Sequence, residues 1–182
     1  MTWLQDTFGI GVPVVGAPMA GPGDGRLAHA VSAAGALGMF GVSAARDGGW
    51  IADQAAVAGA GGTPYGIGLM AWALEQAPGQ LDAVLRLGEE LRPALVSVSF
   101  GDIAEPVRRL REAGIRTATQ IGNLRDLAAA LDAGVDVVVA RGAEAGGHGR
   151  NELATLPLLQ LVLARAGDVP VLAAGGIIDH RG

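Results

Sequence analysis

Short apolar runs alternate with amphipathic helical patterns along the whole chain, and this alternation constrains the fold more than any other feature. The run at 135–140 reads VDVVVA. Because it is almost continuously apolar, it suits a strand that is buried on both faces rather than one with a solvated face. Runs of the same kind occupy 12–17, 37–42, 65–70, 95–100, 116–121, 135–140 and 169–174. The pattern therefore predicts seven parallel strands joined by helices.

The helical segments between these runs have recognisable ends. One segment places Leu124, Leu127 and Leu131 on one face behind the N-cap residue Asn123, and another begins after Asp24. An alanine followed by a glycine closes helical patterns at 34–35, 113–114, 133–134 and 166–167. Glycine at such a place is typical of a left-handed helix C-cap that leads into a strand.

Alternating strands and helices leave two architectures, an open doubly wound sheet and a (β/α)8 barrel. A complete barrel needs about 250 residues, whereas the chain has 182. A barrel formed by this sequence would therefore lack its last βα unit. Because no linker, charge block or low-complexity segment divides the chain, we expect a single domain over residues 1–182.

Composition excludes several classes of function. The net charge is −5 and all 13 basic residues are arginines without a dense cluster, which argues against nucleic-acid and anionic-membrane partners. The absence of cysteine excludes disulfides, thiolate nucleophiles and cysteine-ligated metal centres, so redox chemistry would need a cofactor. The first residues lack the basic start and apolar stretch of a signal peptide, and a cytoplasmic location is expected.

The densest candidate site is the glycine-rich segment 141–150, RGAEAGGHGR, which follows the run at 135–140. In parallel α/β folds, the carboxyl ends of strands carry the sites. The four glycines would leave backbone amides accessible, and His148 would place a candidate base beside them. A flexible exposed connection is the alternative interpretation. Glu144 could orient His148 or cap a backbone amide.

Two further loops also follow apolar runs. Gly175 and Gly176 follow the run at 169–174, where backbone amides could bind a phosphate or simply form a tight turn. The segment 16–21, GAPMAG, follows the first run. Its small residues and Met19 could line a flat aromatic ligand, or the methionine could pack in the core.

The remaining histidines and the carboxylates do not indicate another site. His29 and His180 have no convergent polar partner in sequence and are interpreted as structural or solvent-facing. No pair of histidines or carboxylates has the spacing of a shared metal site, so no metal is expected.

In the three loops, the sequence resembles the nitronate monooxygenases, a family of FMN-dependent (β/α)8-barrel enzymes. The matching pieces are GAPMA at 16–20, GAEAGGH at 142–148 and AAGGI at 173–177, and the resemblance extends along essentially all 182 residues. It implies an incomplete TIM-type barrel of about seven strands without the last βα unit. It also implies an oxidoreductase that converts alkyl nitronates and O2 into a carbonyl compound and nitrite.

The resemblance assigns roles to individual residues. His148 would take an acidic α-proton or stabilise an anionic nitronate, while FMN would supply the electron transfer and oxygen chemistry. The residues that would bind the cofactor are Ala17, Pro18, Met19, Arg141, Gly146, Gly147, Gly175 and Gly176.

Three features depart from the family pattern. Arg141 stands where many relatives have glutamine, and it could add a positive charge near the flavin or contribute only backbone. Gly68 stands where relatives commonly have an asparagine that meets the cofactor. The helix, eighth strand and second phosphate loop of the family are not present in the sequence, which would leave an open edge for homo-oligomer formation.

Two alternatives to this function remain open. Flavin-dependent enoyl-thioester reductases share the barrel and similar loops. A non-catalytic fragment that serves as a binding or assembly module is the other. The expected partners are a small-molecule substrate, a nitronate or nitroalkane, and O2.

Overall fold

A computed structural model describes residues 2–179 and 181, so His180 lies outside the described residues. The helices are α1 Trp3–Phe8, α2 Gly25–Ala33, α3 Gly48–Ala58, α4 Ala71–Gln76, α5 Gly79–Leu85, α6 Ala104–Glu112, α7 Leu124–Ala133 and α8 Thr155–Leu163. The strands are β1 Gly38–Gly41, β2 Tyr65–Met70, β3 Leu95–Ser99, β4 Thr117–Ile121, β5 Val137–Arg141 and β6 Val171–Ala174. Short 3-10 turns occupy Ala60–Gly62 and Glu89–Leu91.

The strands form one parallel sheet in the order β1-β2-β3-β4-β5-β6. Sequential order means that each strand pairs with the next along the chain, as in a barrel, whereas a doubly wound sheet reverses its order at a switch point. The sheet curls into an incomplete barrel, which confirms the predicted fold class. All carboxyl ends of the strands consequently meet at one edge.

The first of the seven predicted strands, at 12–17, is not a regular strand in the described part of the chain. It makes only isolated bridges, Val15 with Leu37 and, further on, Ala20 with Gly41. Pro13 has no amide hydrogen, and the amide of Val14 donates to the carbonyl of Val12 rather than to a neighbouring strand. The segment therefore lies beside β1 without forming a ladder.

The helix ends follow the sequence signals. Asn123 caps α7 because its Oδ1 accepts from the amide of Asp126 at 2.9 Å, and Asp24 caps α2 in the same way. Gly134 ends α7 in the left-handed conformation, and the other three glycines of the Ala-Gly pairs also have positive φ. Among the described residues, no helix has the length and apolar character needed to cross a membrane.

Apolar side chains pack on both faces of the sheet. One cluster lies between the sheet and the surrounding helices and includes Phe40, Ile67 and Val138. A second cluster joins Leu4 and Phe8 of α1 to residues at the starts of the strands, including Leu37, Leu95 and Val137. Because α1 covers the amino ends, the carboxyl ends are left as the accessible end of the sheet.

Candidate functional site

A cleft of about 530 Å³ opens at the carboxyl ends of β2 to β5. One part of its lining is apolar and includes Trp72, Phe100 and Ile121. Polar side chains line the remainder: Thr119, Gln120, Asp126, Arg141, His148 and Arg150. An apolar cleft with a few convergent polar groups is the usual form of a small-molecule site.

His148 lies at the mouth of this cleft on the loop after β5. Its ring centroid is 5.8 Å from that of Phe100 and 6.5 Å from that of Trp72, with an interplanar angle of 41° in both cases. The loop thus reaches from the end of β5 across to the ends of β3 and β2. The imidazole is exposed, so a ligand in the cleft could approach it.

Phe100 has an unusual backbone conformation. Its φ is 68°, and it is the one non-glycine residue with positive φ among residues 2–179 and 181. Its carbonyl accepts from the amide of Trp72, which couples the end of β3 to the start of α4. Backbone strain of this kind clusters at functional sites, and here it turns the aromatic ring toward His148.

Arg141 ends β5 inside the barrel and is only 3% exposed. Its guanidinium donates to carbonyls of the loop that carries His148. Arg150, at the other end of this loop, makes an ion pair with Asp126 of α7, with Nε 3.0 Å from Oδ2. The loop is therefore attached to the rest of the protein on both sides of His148.

Glu144 has the second of the two roles considered for it, because its carboxylate caps α8 and makes no hydrogen bond or ion pair with His148 in the described part of the chain. Its Oε2 accepts from the Thr155 amide at 2.8 Å and from the Thr155 hydroxyl at 2.9 Å. Hydrogen bonds from its own backbone amide and from these two donors lower the pKa of the Glu144 carboxyl below its usual 4.5. The negative charge also lies at the N-terminus of α8, where the helix dipole favours it.

Replacing Glu144 with glutamine is expected to lower the melting temperature at neutral pH, with a smaller effect in acid. A lowered folded-state pKa stabilises the fold above the unfolded pKa near 4.5 and loses that contribution as the pH falls through the folded value. Thermal melts of both proteins between about pH 7 and pH 3 test this linkage. Glu75→Gln, at an exposed position on α4, is the control, and a difference that stays constant with pH would contradict the assigned cap.

Ala17, Pro18 and Met19 lie beside β1 and β2. A Cβ atom on Gly68 would lie 2.5 Å from Cγ of Pro18 and closer still to its Cβ. The proline ring therefore occupies the space into which a side chain at position 68 would extend, which explains the glycine there. Ala17 and Met19 are exposed, so they can contact a ligand at this edge.

The four glycines predicted to bind the cofactor form two pairs, one exposed and one next to the start of α8. Gly146 and Gly147 are exposed, and no atom lies within 4 Å of a Cβ placed on either. At Gly175, a Cβ would lie 2.5 Å from Oγ1 of Thr155 and 2.9 Å from the amide nitrogen of Ala145, so this residue packs against the start of α8. Gly176 follows it at φ 72° beside Glu144.

Of the nine nominated residues, Arg141 and His148 line the cleft itself. The other seven lie on loops at the same edge of the sheet, outside the cleft lining. Sequence reasoning missed Trp72 and Phe100, and it gave no role to Arg150 within the segment 141–150, although all three line the cleft. Phe100 directly follows β3 and Trp72 lies in the first turn of α4 after β2, but from sequence alone either ring could equally belong to the core.

Comparisons with known proteins agree with this arrangement. The family model for nitronate monooxygenase matches residues 1–182. A nitronate monooxygenase of Paraburkholderia phytofirmans is 33% identical over 98% of this chain and 60% of its own length. The solved structure of FabK from Thermotoga maritima has a TM-score of 0.85 at 29% identity, covering all of this chain and 56% of that one.

A nitroalkane oxidase from Streptomyces ansochromogenes is also similar, with a TM-score of 0.77 and 27% identity over 92% of this chain and 59% of its own. These proteins are longer than the chain described here. The chain spans about 60% of the length of the curated relative from Paraburkholderia.

Proposed function

The chain belongs to the nitronate monooxygenase family, and we propose that it is an FMN-dependent oxidoreductase that converts alkyl nitronates and O2 into a carbonyl compound and nitrite. The observation that carries this proposal is the position of His148. It lies at the mouth of an apolar cleft at the carboxyl edge of a parallel sheet, on the loop that most specifically matches the family. That edge is where α/β barrels carry their chemistry.

The residues around the cleft fit a flavin in two respects. Gly146 and Gly147 have exposed backbone and open space at their Cβ positions, so a planar ring can approach their amides. Ala17 and Met19 expose small or pliable surface beside β1 and β2, where Pro18 packs on Gly68. We propose that these residues, with Gly175 and Gly176, hold FMN, and that Arg141 contributes by holding the loop that carries Gly146 and Gly147.

The proposed role of the protein is to bind the substrate, to orient it beside the cofactor and to exchange a proton with it. Bound FMN supplies the electron transfer and oxygen chemistry. The imidazole of His148 accepts an acidic α-proton or, in its charged form, stabilises an anionic nitronate. Trp72 and Phe100 fix one side of that imidazole and offer apolar contacts for an alkyl group.

The same proposal covers the organisation of the protein. Residues 1–182 act as one FMN-binding domain, and the partners are a small nitronate or nitroalkane and O2. A cytoplasmic location, the absence of nucleic-acid and membrane partners, and homo-oligomer formation through the outer edges of β1 and β6 stay predictions.

The visible spectrum of the purified 182-residue chain, recorded after addition of FMN and desalting, tests cofactor binding. We expect a retained flavin band and, in an oxygen electrode, O2 uptake that depends on the nitronate of 2-nitropropane. Neutral 2-nitropropane without base is the control for the anionic substrate. Crotonyl-CoA with NADH tests the enoyl-thioester alternative in the same preparation.

Each outcome decides between the functions. Retained flavin with nitronate-dependent O2 uptake supports the proposal. NADH oxidation that depends on the enoyl thioester, without a response to nitronates, favours the reductase and contradicts the proposal. A colourless protein without turnover also contradicts it and favours a binding or assembly role.

A further inference from the structure

Arg141 is a buried cation without a carboxylate partner among the residues that the structure describes. It is 3% exposed, and none of the observed ion pairs includes it. A fully buried arginine is rare unless its charge is paired or its donors are fully used, because desolvation of the guanidinium is costly.

The donors of Arg141 go to its own loop, on both sides of His148. Nη2 donates to the carbonyl of Ala145 at 2.6 Å and to those of Gly146 and Gly147 at 3.2 Å. Nη1 donates to the carbonyl of Arg150 at 3.2 Å and to Oδ1 of Asn151 at 2.8 Å. The bonded residues thus bracket His148 from three positions before it to three positions after it.

Gly149 brings the loop into direct contact with the guanidinium. Its φ is 154°, and a Cβ placed on it would lie 2.6 Å from Nε and 2.7 Å from Cζ of Arg141. Nε is buried and has no hydrogen-bond partner among the described residues. The backbone next to His148 therefore lies directly against the guanidinium, which explains why this position needs glycine.

Because both Nη atoms are used by the loop and Nε is covered, no donor of Arg141 is directed to a ligand in the cleft. We propose that Arg141 is a positioning residue. It fixes the loop at 145–151 and thereby holds the His148 ring against Phe100 and Trp72. The proposal rests on the proposed function only for the importance of His148, since the position of the ring is a property of the protein alone.

Neither of the obvious replacements can reproduce this network. Lysine places all its donors on one atom, whereas the guanidinium separates its two Nη atoms and reaches both arms of the loop. Glutamine has one amide nitrogen, and its oxygen would face loop carbonyls. Arg141→Gln therefore loses at least one arm, and Arg141→Lys retains the charge but not the geometry.

Histidine proton NMR of the full chain tests the position of the ring without cofactor or substrate. The His148 signal, identified by its loss in His148→Ala, carries ring-current shifts from Phe100 and Trp72 in the parent protein. We expect these shifts to disappear in Arg141→Gln and to be reduced in Arg141→Lys. Arg125→Gln, at an exposed position on α7, is the matched control and leaves the signal unchanged.

Tryptic cleavage gives an independent measurement of loop order. Cleavage after Arg150 is expected to accelerate on the order of tenfold in Arg141→Gln, because proteolysis follows the population of the open loop. Cleavage after Arg165, which follows α8, stays unchanged, which separates local release from global unfolding. If Arg141→Gln does not fold, the same two measurements on Arg141→Lys decide the question.

Unchanged His148 shifts together with unchanged cleavage after Arg150 would overturn the positioning role. These readouts separate it from the proposed function, because a chain that does not oxidise nitronates would still show them. In an active protein, misplacement of the imidazole is expected to lower kcat by about 10- to 100-fold, with a smaller change in KM.

Discussion

Replacing Gly38 with alanine is expected to destabilise the protein by about 3 kcal/mol or more, which would leave little folded chain at moderate temperature. Gly38 begins β1 where α2 packs directly on the sheet. A Cβ on it would lie 2.6 Å from the carbonyl carbon and 2.8 Å from the Cα of Ala28, and closer still to the Ala28 carbonyl oxygen. These are backbone atoms of a fully buried helical residue, so no side-chain rotation relieves the overlap.

Urea unfolding followed by circular dichroism measures this effect. Gly88→Ala is the matched control, because position 88 has a φ of −60° and no atom within 4 Å of a Cβ. The control is expected to be neutral or slightly stabilising, since alanine reduces the freedom of the unfolded chain. If both variants unfold at the same urea concentration, the close packing of α2 on β1 is wrong.

The sequence was sufficient for the parallel βα arrangement, because a strand buried on both faces has to be apolar at successive positions. It was less informative about where each strand begins. The predicted run at 135–140 became a strand at Val137–Arg141, and the residue just before it, Asp136, accepts with its carboxylate from the amide of Thr117 at 2.7 Å and from its hydroxyl at 3.0 Å. Local periodicity cannot predict this contact, because Asp136 and Thr117 are 19 positions apart in the sequence.

The first predicted strand failed for a related reason. Its apolar character was correct, but strand formation needs amide donors in register, and Pro13 supplies none. The segment pairs through Val15 with Leu37, just before β1. Further along, Pro18 packs on Gly68 of β2. The departure at Gly68 was visible in the sequence, whereas the proline ring that fills its space became visible only in three dimensions.

The sequence predicted the part of the candidate site in which glycines and a histidine follow a strand. It did not predict the part that consists of aromatic residues. Trp72 and Phe100 contribute rings to the cleft, but each could equally be a core residue when judged from sequence alone. Nothing in the sequence predicts a positive φ for Phe100. The role of Arg141 was left between added charge and backbone, because its acceptors on the loop depend on how that loop folds back.

The second large effect is expected for His148→Ala, which should lower nitronate-dependent O2 uptake by roughly 10²- to 10⁴-fold, the usual contribution of a general acid or base. The flavin band should persist after desalting, because the proposed cofactor contacts come from other residues. Thermal stability should also change little, since the ring is exposed and its aromatic neighbours are the rings of Trp72 and Phe100 at the mouth of the cleft.

His29→Ala is the matched control, because it removes an imidazole on α2 whose Nδ1 lies 3.3 Å from the Thr63 hydroxyl, outside the cleft lining. The folded His29→Ala variant should retain nitronate-dependent O2 uptake. Full activity in His148→Ala would show that the flavin and the bound nitronate react without this imidazole. The loop would then serve the cofactor rather than the substrate, and Arg141 would hold backbone amides in place rather than a proton acceptor.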